Sequence, residues 1–268
     1  MKVYTARADA SRALQIAETT SPFVITVQFV GGLTPAQQAA FARAADRWAR
    51  VIVGDLPDVE VDGEIIDDVL ILAEGADLGG AGGVLAEAGP THVRVGGLPC
   101  KGIMRFDTAD LEQMEQDGTL NDVITHEMGH VLGIGTMWAE MGLIQDIGTD
   151  NPLFTGRLAM IEYGHLRGGL AEMVPVENVG GEGSRDSHWR ESKFRSELMT
   201  STIAGQGNPI SRLTAGSLID IGYQVDLEAS EPYALPAPVG PAAVGAPRPH
   251  KLIVRPARHE VMPAEPVG

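Results

Sequence analysis

The chain has 268 residues, 44% of them hydrophobic, enough for one large domain or two small ones with a true core. A net charge of −16 argues against a nucleic-acid binder, which needs a basic stripe, and no run reaches the ~18 apolar residues of a membrane-spanning helix. Cys100 is the only cysteine, so no internal disulfide can form. Residues 1–20 carry Arg7, Asp9, Arg12 and Glu18 and no long apolar run, so no signal peptide is read there; the stretch is expected as an N-terminal extension.

Residues 23–30 (FVITVQFV) are β-branched and aromatic and predict a buried strand. Thr34-Pro35-Ala36-Gln37 predicts a helix start, with Thr34 as cap, Pro35 in the first turn and Gln37 three after the cap. Phe41, Ala45, Trp48 and Ile52 share a face, and Gly54 is expected to stop the helix. Residues 68–73 (DVLILA) predict a second strand, which makes a βαβ unit and a partly parallel sheet. Residues 83–88 and 102–107 predict two further strands, 91–95 a local pairing, and 110–116 a short helix. Cys100, in LPCKG, is expected in a loop; a thiol capping a zinc is the alternative.

A central helix is predicted from about Thr119, with Asp122 as its capping partner and Leu120, Val123, Ile124, Met128 and Val131 as its apolar positions. It carries His126-Glu127-Met128-Gly129-His130. Histidines four apart stand one above the other on a helix face and can meet one zinc ion. Glu127 points about 100° round the axis, too far to join that pair and close enough to reach a water held by the metal. Gly133 ends the helix one turn after His130; it is either an ordinary terminator or the bend that brings a third ligand from elsewhere.

Helices are further predicted around 156–163, 191–197 and 214–221, the last closed by Gly222. From Glu231 on, nine of 38 residues are proline, so residues 229–268 are expected as an extended, mostly unpacked tail.

A catalytic zinc wants three protein ligands and an open position. His92, His165, His188, His250 and His259 remain, and Asp150, 20 residues after His130, is a possible carboxylate ligand.

HEMGHVLG followed by SHWRESKFRSELMTS resembles the metzincin metallopeptidases and, within them, the leishmanolysin-like peptidases. Most metzincins place the third histidine three residues after the glycine. That position is Thr136 here, and leishmanolysin-like enzymes carry an insertion at this point, as this chain does between Gly133 and His188. GGVLAEAGP and GIMRFDTADL resemble the metzincin edge strand and the strand leading to the active-site helix, and LTAGSLIDIGYQVD the closing helix. The chain departs from leishmanolysin in lacking its cysteine-rich scaffold and an obvious pro-region, and in being shorter.

The resemblance implies an α+β fold, metzincin-like, with a twisted mixed sheet and two long helices in an N-terminal subdomain (about 21–135). A loop-rich C-terminal subdomain (about 136–228) would face it across a cleft. It implies His126, His130 and His188 as ligands of one catalytic Zn2+, Glu127 as general base, and Met199 as a Met-turn. It implies a zinc metalloendopeptidase working through a zinc-bound water on protein or peptide substrates. The strand with Val84, Leu85, Ala86 and Glu87 is expected to pair with extended substrate. The alternatives are a zinc peptidase with Asp150 as third ligand and a non-catalytic binding module with a structural zinc.

Overall fold

The computed structural model describes residues 1–80, 84–181, 183–203, 205–237, 250–251, 254–256 and 262–267. The chain opens with β1 (Lys2–Arg7) and α1 (Ala10–Ala17), then β2 (Val24–Gly31) and α2 (Pro35–Val51). Next come the hairpin β3 (Val59–Val61) and β4 (Glu64–Ile66), and the strands β5 (Val69–Ala76), β6 (Ala86–Val93) and β7 (Pro99–Asp107). Then follow α3 (Thr108–Asp117) and α4 (Leu120–Val131). The fold is a mixed α+β arrangement.

The main sheet has the order β1-β2-β5-β7-β6. β2, β5 and β7 run parallel, with Val27 opposite Ile71 and Leu72 opposite Ile103. β6 is antiparallel to β7, with Ala88 opposite Met104. The βαβ unit is therefore β2-α2-β5. Its helix has the expected box: the Thr34 hydroxyl accepts from the Gln37 amide and the Gln37 side chain accepts from the Thr34 amide. It ends at Ile52 in extended conformation rather than at Gly54. Gly54 instead forms a bridge to Pro22.

Residues expected as an extension supply β1, which pairs with β2 along its whole length. Its burial alternates and Ala6 faces the core.

α2 and α4 pack side by side on the sheet, and the Trp48 indole donates to the Thr125 carbonyl at 2.8 Å. The expected Thr119–Asp122 capping pair does not form: Thr119 is itself helical and makes no side-chain cap bond. Asp122 turns instead to Arg47 at 2.9 Å and to the Gly207 amide at 2.6 Å. The charge partner outcompetes the local cap, since an ionic hydrogen bond is about twice as strong as a neutral one.

Beyond α4 come β8 (Ile144–Gln145), β9 (Leu153–Phe154), α5 (Arg157–Arg167), β10 (Val174–Pro175), α6 (Glu191–Phe194), β11 (Thr202–Ile203) and α7 (Arg212–Ile221). β8, β9 and β10 form a small antiparallel sheet. α7 starts on Ser211 as cap and closes on Gly222 in left-handed conformation.

The proline-rich end is not unpacked among its described residues. β12 (His250–Lys251) pairs with β11, β13 (Val254–Pro256) and β14 (Met262–Pro263) lie parallel on β6, and β15 (Glu265–Pro266) lies on β3. Edge positions suit proline, which has no N–H for a second neighbour. Cys100, expected in a loop or capping zinc, lies on β7 in a satellite core with Val59, Val61, Ile66, Leu70 and Ala264. Among the described residues no helix is long and apolar enough to cross a membrane.

Candidate metal centre

α4 presents His126 and His130 on one face, and both are buried. His188 arrives from a loop 58 residues beyond His130 and is equally buried. The three Nε2 atoms form a near-equilateral triangle: 3.0 Å between His126 and His130, 3.1 Å between His126 and His188, and 3.0 Å between His130 and His188.

Each ring has its other nitrogen committed. His126 Nδ1 donates to the Leu198 carbonyl at 2.7 Å, His130 Nδ1 to the Ile134 carbonyl at 2.8 Å, and His188 Nδ1 to the Ser184 carbonyl at 2.9 Å. A carbonyl can only accept, so the proton sits on Nδ1 and each Nε2 presents a bare lone pair. Three lone pairs aimed at one point repel one another unless a cation sits among them. Burial pushes the imidazole pKa values down, His130 to about 3 and His188 to about 4; His126 falls well below its ordinary value, with its two neighbours adding to the effect. The rings therefore stay neutral at pH 7, the form a metal requires.

Glu127 adds the second observation. It is fully buried, and among the described residues neither carboxylate oxygen has a hydrogen-bond partner. Burial drives its pKa well above the ordinary value. A carboxylate left this way is costly unless a group outside the chain meets it. Three neutral imidazole nitrogens beside such a carboxylate are the donor set that zinc hydrolases use, so the residues present fit a zinc ion.

The backbone explains how distant segments meet. Gly133 has φ 103° and its amide donates to the His130 carbonyl, closing the helix where the sequence placed its end. Thr136 caps the same carbonyl with its hydroxyl at 2.7 Å. Gly135, with φ 77°, also belongs to the site. A side chain there would collide with the Ser187 carbonyl, so glycine lets the His188 loop close against the helix end. Trp189 anchors that loop: its ring packs against Trp138 at a 35° tilt with centroids 4.5 Å apart, and its indole donates to Thr214 at 2.8 Å.

Met199 lies against α4. A methyl group on Gly129 would fall 2.8 Å from its sulfur and 3.0 Å from the Trp48 ring, so glycine at this motif position makes room for the thioether. Of the substrate-strand candidates, Ala86 and Glu87 open β6, while Val84 and Leu85 precede it.

Asp150 does not join the cluster. It is exposed and lies 3.9 Å from Arg185. His92 lies half-buried on β6 and His165 faces Glu162. A second acidic group, Asp55, Asp67 and Asp68, is no match for the first: both Asp68 oxygens are taken by the amides of Val24 and Leu56.

Three buried imidazoles converging from a helix and a distant loop form a group that could hold one metal ion, the donor set of a three-histidine zinc site. The leishmanolysin family pattern (peptidase family M8) matches residues 66–235, which include all three histidines and Met199. The chain belongs to this family, whose members depend on zinc. It is 29% identical over 159 residues to leishmanolysin of Leishmania donovani, covering 56% of this chain and 26% of that protein. To leishmanolysin of Leishmania tropica it is 29% identical over 153 residues, covering 54% and 23%. The chain thus aligns with about a quarter of the length of these relatives.

Proposed function

We propose that this chain is a zinc-dependent metalloendopeptidase, with His126, His130 and His188 as metal ligands and Glu127 as general base. The mutual approach of three Nε2 atoms to 3.0–3.1 Å carries the reading. Bound there, zinc supplies a Lewis acid that activates water and polarises a peptide carbonyl. Glu127 takes the proton from water as it attacks the carbonyl carbon, then delivers it to the leaving amine nitrogen. The three histidines hold their tautomers through backbone carbonyls. Met199 serves as a polarizable apolar floor, the Met-turn, behind Gly129.

The catalytic unit in this reading is metzincin-like and spans about 21–228, with β1 as an added edge strand. Its N-terminal part ends near 135, and the loop-rich part to 228 supplies His188 and Met199. Substrate adds in extended form along Ala86–Ala88, on the edge of β6 opposite β7. That this edge takes up a strand is supported by the chain's own Val254 and Arg255, paired with Ala86 and Glu87.

Zinc content together with casein cleavage, with and without a chelator, tests the proposal. One zinc per chain and chelator-sensitive cleavage are expected. Zinc without cleavage would make the chain a binding module instead.

A further inference from the structure

Glu197 lies two residues before Met199 and is completely buried. One carboxylate oxygen accepts from the Met199 amide at 2.6 Å. The other accepts from the Ser211 hydroxyl at 2.7 Å, the Ser211 amide at 3.2 Å and the Thr214 hydroxyl. Thr214 in turn accepts from the Trp189 indole, which leaves its own proton for Glu197. Every partner of Glu197 among the described residues is a donor, the surrounding of an ionised carboxylate. Burial pushes this carboxyl up, and the same four donors oppose the shift.

The Met199 N–H and the Leu198 C=O belong to one planar peptide group. The carboxylate sits at the N–H end of that group, and the His126 Nδ1–H sits at its C=O end. A negative charge against the N–H draws electron density toward the carbonyl oxygen and makes it a stronger acceptor, because hydrogen bonds in series polarise one another. The His126 Nδ1–H bond strengthens, and Nε2 gains basicity. The His188 arrangement differs: the peptide group that accepts from its Nδ1 is Ser184–Arg185, and the Arg185 amide donates to the uncharged Gly181 carbonyl.

We propose that Glu197 is a positioning residue for the metal centre, acting on His126 through the Leu198–Met199 peptide group. It fixes the His126 tautomer, strengthens Nε2 as a ligand and holds Met199 against Gly129. The proposal rests on the reading of His126 as a zinc ligand. A carboxylate that merely ties the Met199 segment to α7 would stabilise the fold without touching His126.

The test uses the full chain and two readouts: zinc affinity by chelator competition, and the His126 Nδ1–H proton resonance of the metal-free protein. Glu197→Gln removes the negative charge from beside the Met199 N–H, whichever way its amide turns. It is expected to weaken zinc binding about 10- to 100-fold, as loss of a group supporting a ligand does, and to move the resonance upfield. Glu197→Asp keeps the charge but draws it back, so smaller changes of the same sign are expected, and it decides the matter if Glu197→Gln does not fold. Ser217→Ala, which removes a buried hydroxyl from α7 without touching Glu197, should change neither readout. Unchanged zinc affinity and an unmoved resonance in both Glu197 variants would overturn the proposal. A His126→Ala variant that binds zinc as tightly as the parent would instead overturn the ligand reading, and the His126 resonance of the parent and the Glu197 variants would still report on the peptide relay.

Discussion

His130 and His188 stand 58 positions apart in the chain, and their Nε2 atoms lie 3.0 Å apart. One ring is fixed by the helix end at Ile134, the other by Ser184 in a loop. Replacing His188 with alanine leaves two ligands, and zinc affinity should fall by at least about 10-fold, the lower bound for loss of even a supporting group. Asp150→Ala should bind zinc like the parent. Chelator competition on both variants checks this, and a loss confined to Asp150→Ala would reverse the assignment.

Glu127→Gln should retain zinc and lose turnover. General-base removal costs about 10²- to 10⁴-fold. The apparent melting temperature of the metal-free protein should not fall, because glutamine replaces a buried carboxyl group whose oxygens have no hydrogen-bond partner among the described residues. Steady-state peptide hydrolysis with metal analysis on the same sample is the check, and unimpaired turnover removes Glu127 from the chemistry.

Gly129→Ala should destabilise the chain by about 1–3 kcal/mol, the usual cost of overpacking. The added methyl would sit 2.8 Å from Met199 Sδ and 3.0 Å from Trp48, both buried. Chemical denaturation measures it. A shift within error would mean that Met199 does not pack against the helix at this point.

The histidines predict an acid limit. Each has an ordinary pKa of 6.5, while the folded values of His130 and His188 fall to about 3 and about 4. Above 6.5 both states hold neutral rings and nothing is lost. Below it the unfolded chain takes up protons that the folded chain refuses, so metal-free stability declines as pH drops from 6.5 through 4. Glu127, raised by burial, works the other way: its penalty is relieved by acid. Denaturation of the parent and of Glu127→Gln between pH 7 and pH 4.5 separates the two, with the steeper acid loss expected in the variant.

The β6 edge that the proposal gives to substrate carries residues 254–256. A chain ending at Ala237 should therefore cleave a peptide substrate several-fold faster at low substrate concentration. An equal kcat/KM would place substrate elsewhere.

Much of this was legible beforehand because local chemistry and burial agreed. Thr34-Pro35 with Gln37 made a capping box as written, and His126 with His130 follow from helix periodicity alone. The β3–β4 hairpin carried its own sign, Asp62-Gly63 between Val61 and Glu64, with both turn residues at positive φ, but the strands are only three residues long. The Thr119–Asp122 cap failed because Arg47, 75 positions away, took the carboxylate. No spacing rule reveals that Ser184, Ile134 and Leu198 would each offer a carbonyl to a histidine, since backbone acceptors leave no mark in sequence. Gly135 did leave one, but among 33 glycines it was indistinguishable.

X-ray absorption at the zinc edge of the loaded chain tests the centre most directly. Three imidazole nitrogens at about 2.0–2.1 Å are expected, falling to two in His188→Ala. Two imidazoles in the parent, with carboxylate or sulfur making up the set, would contradict the account.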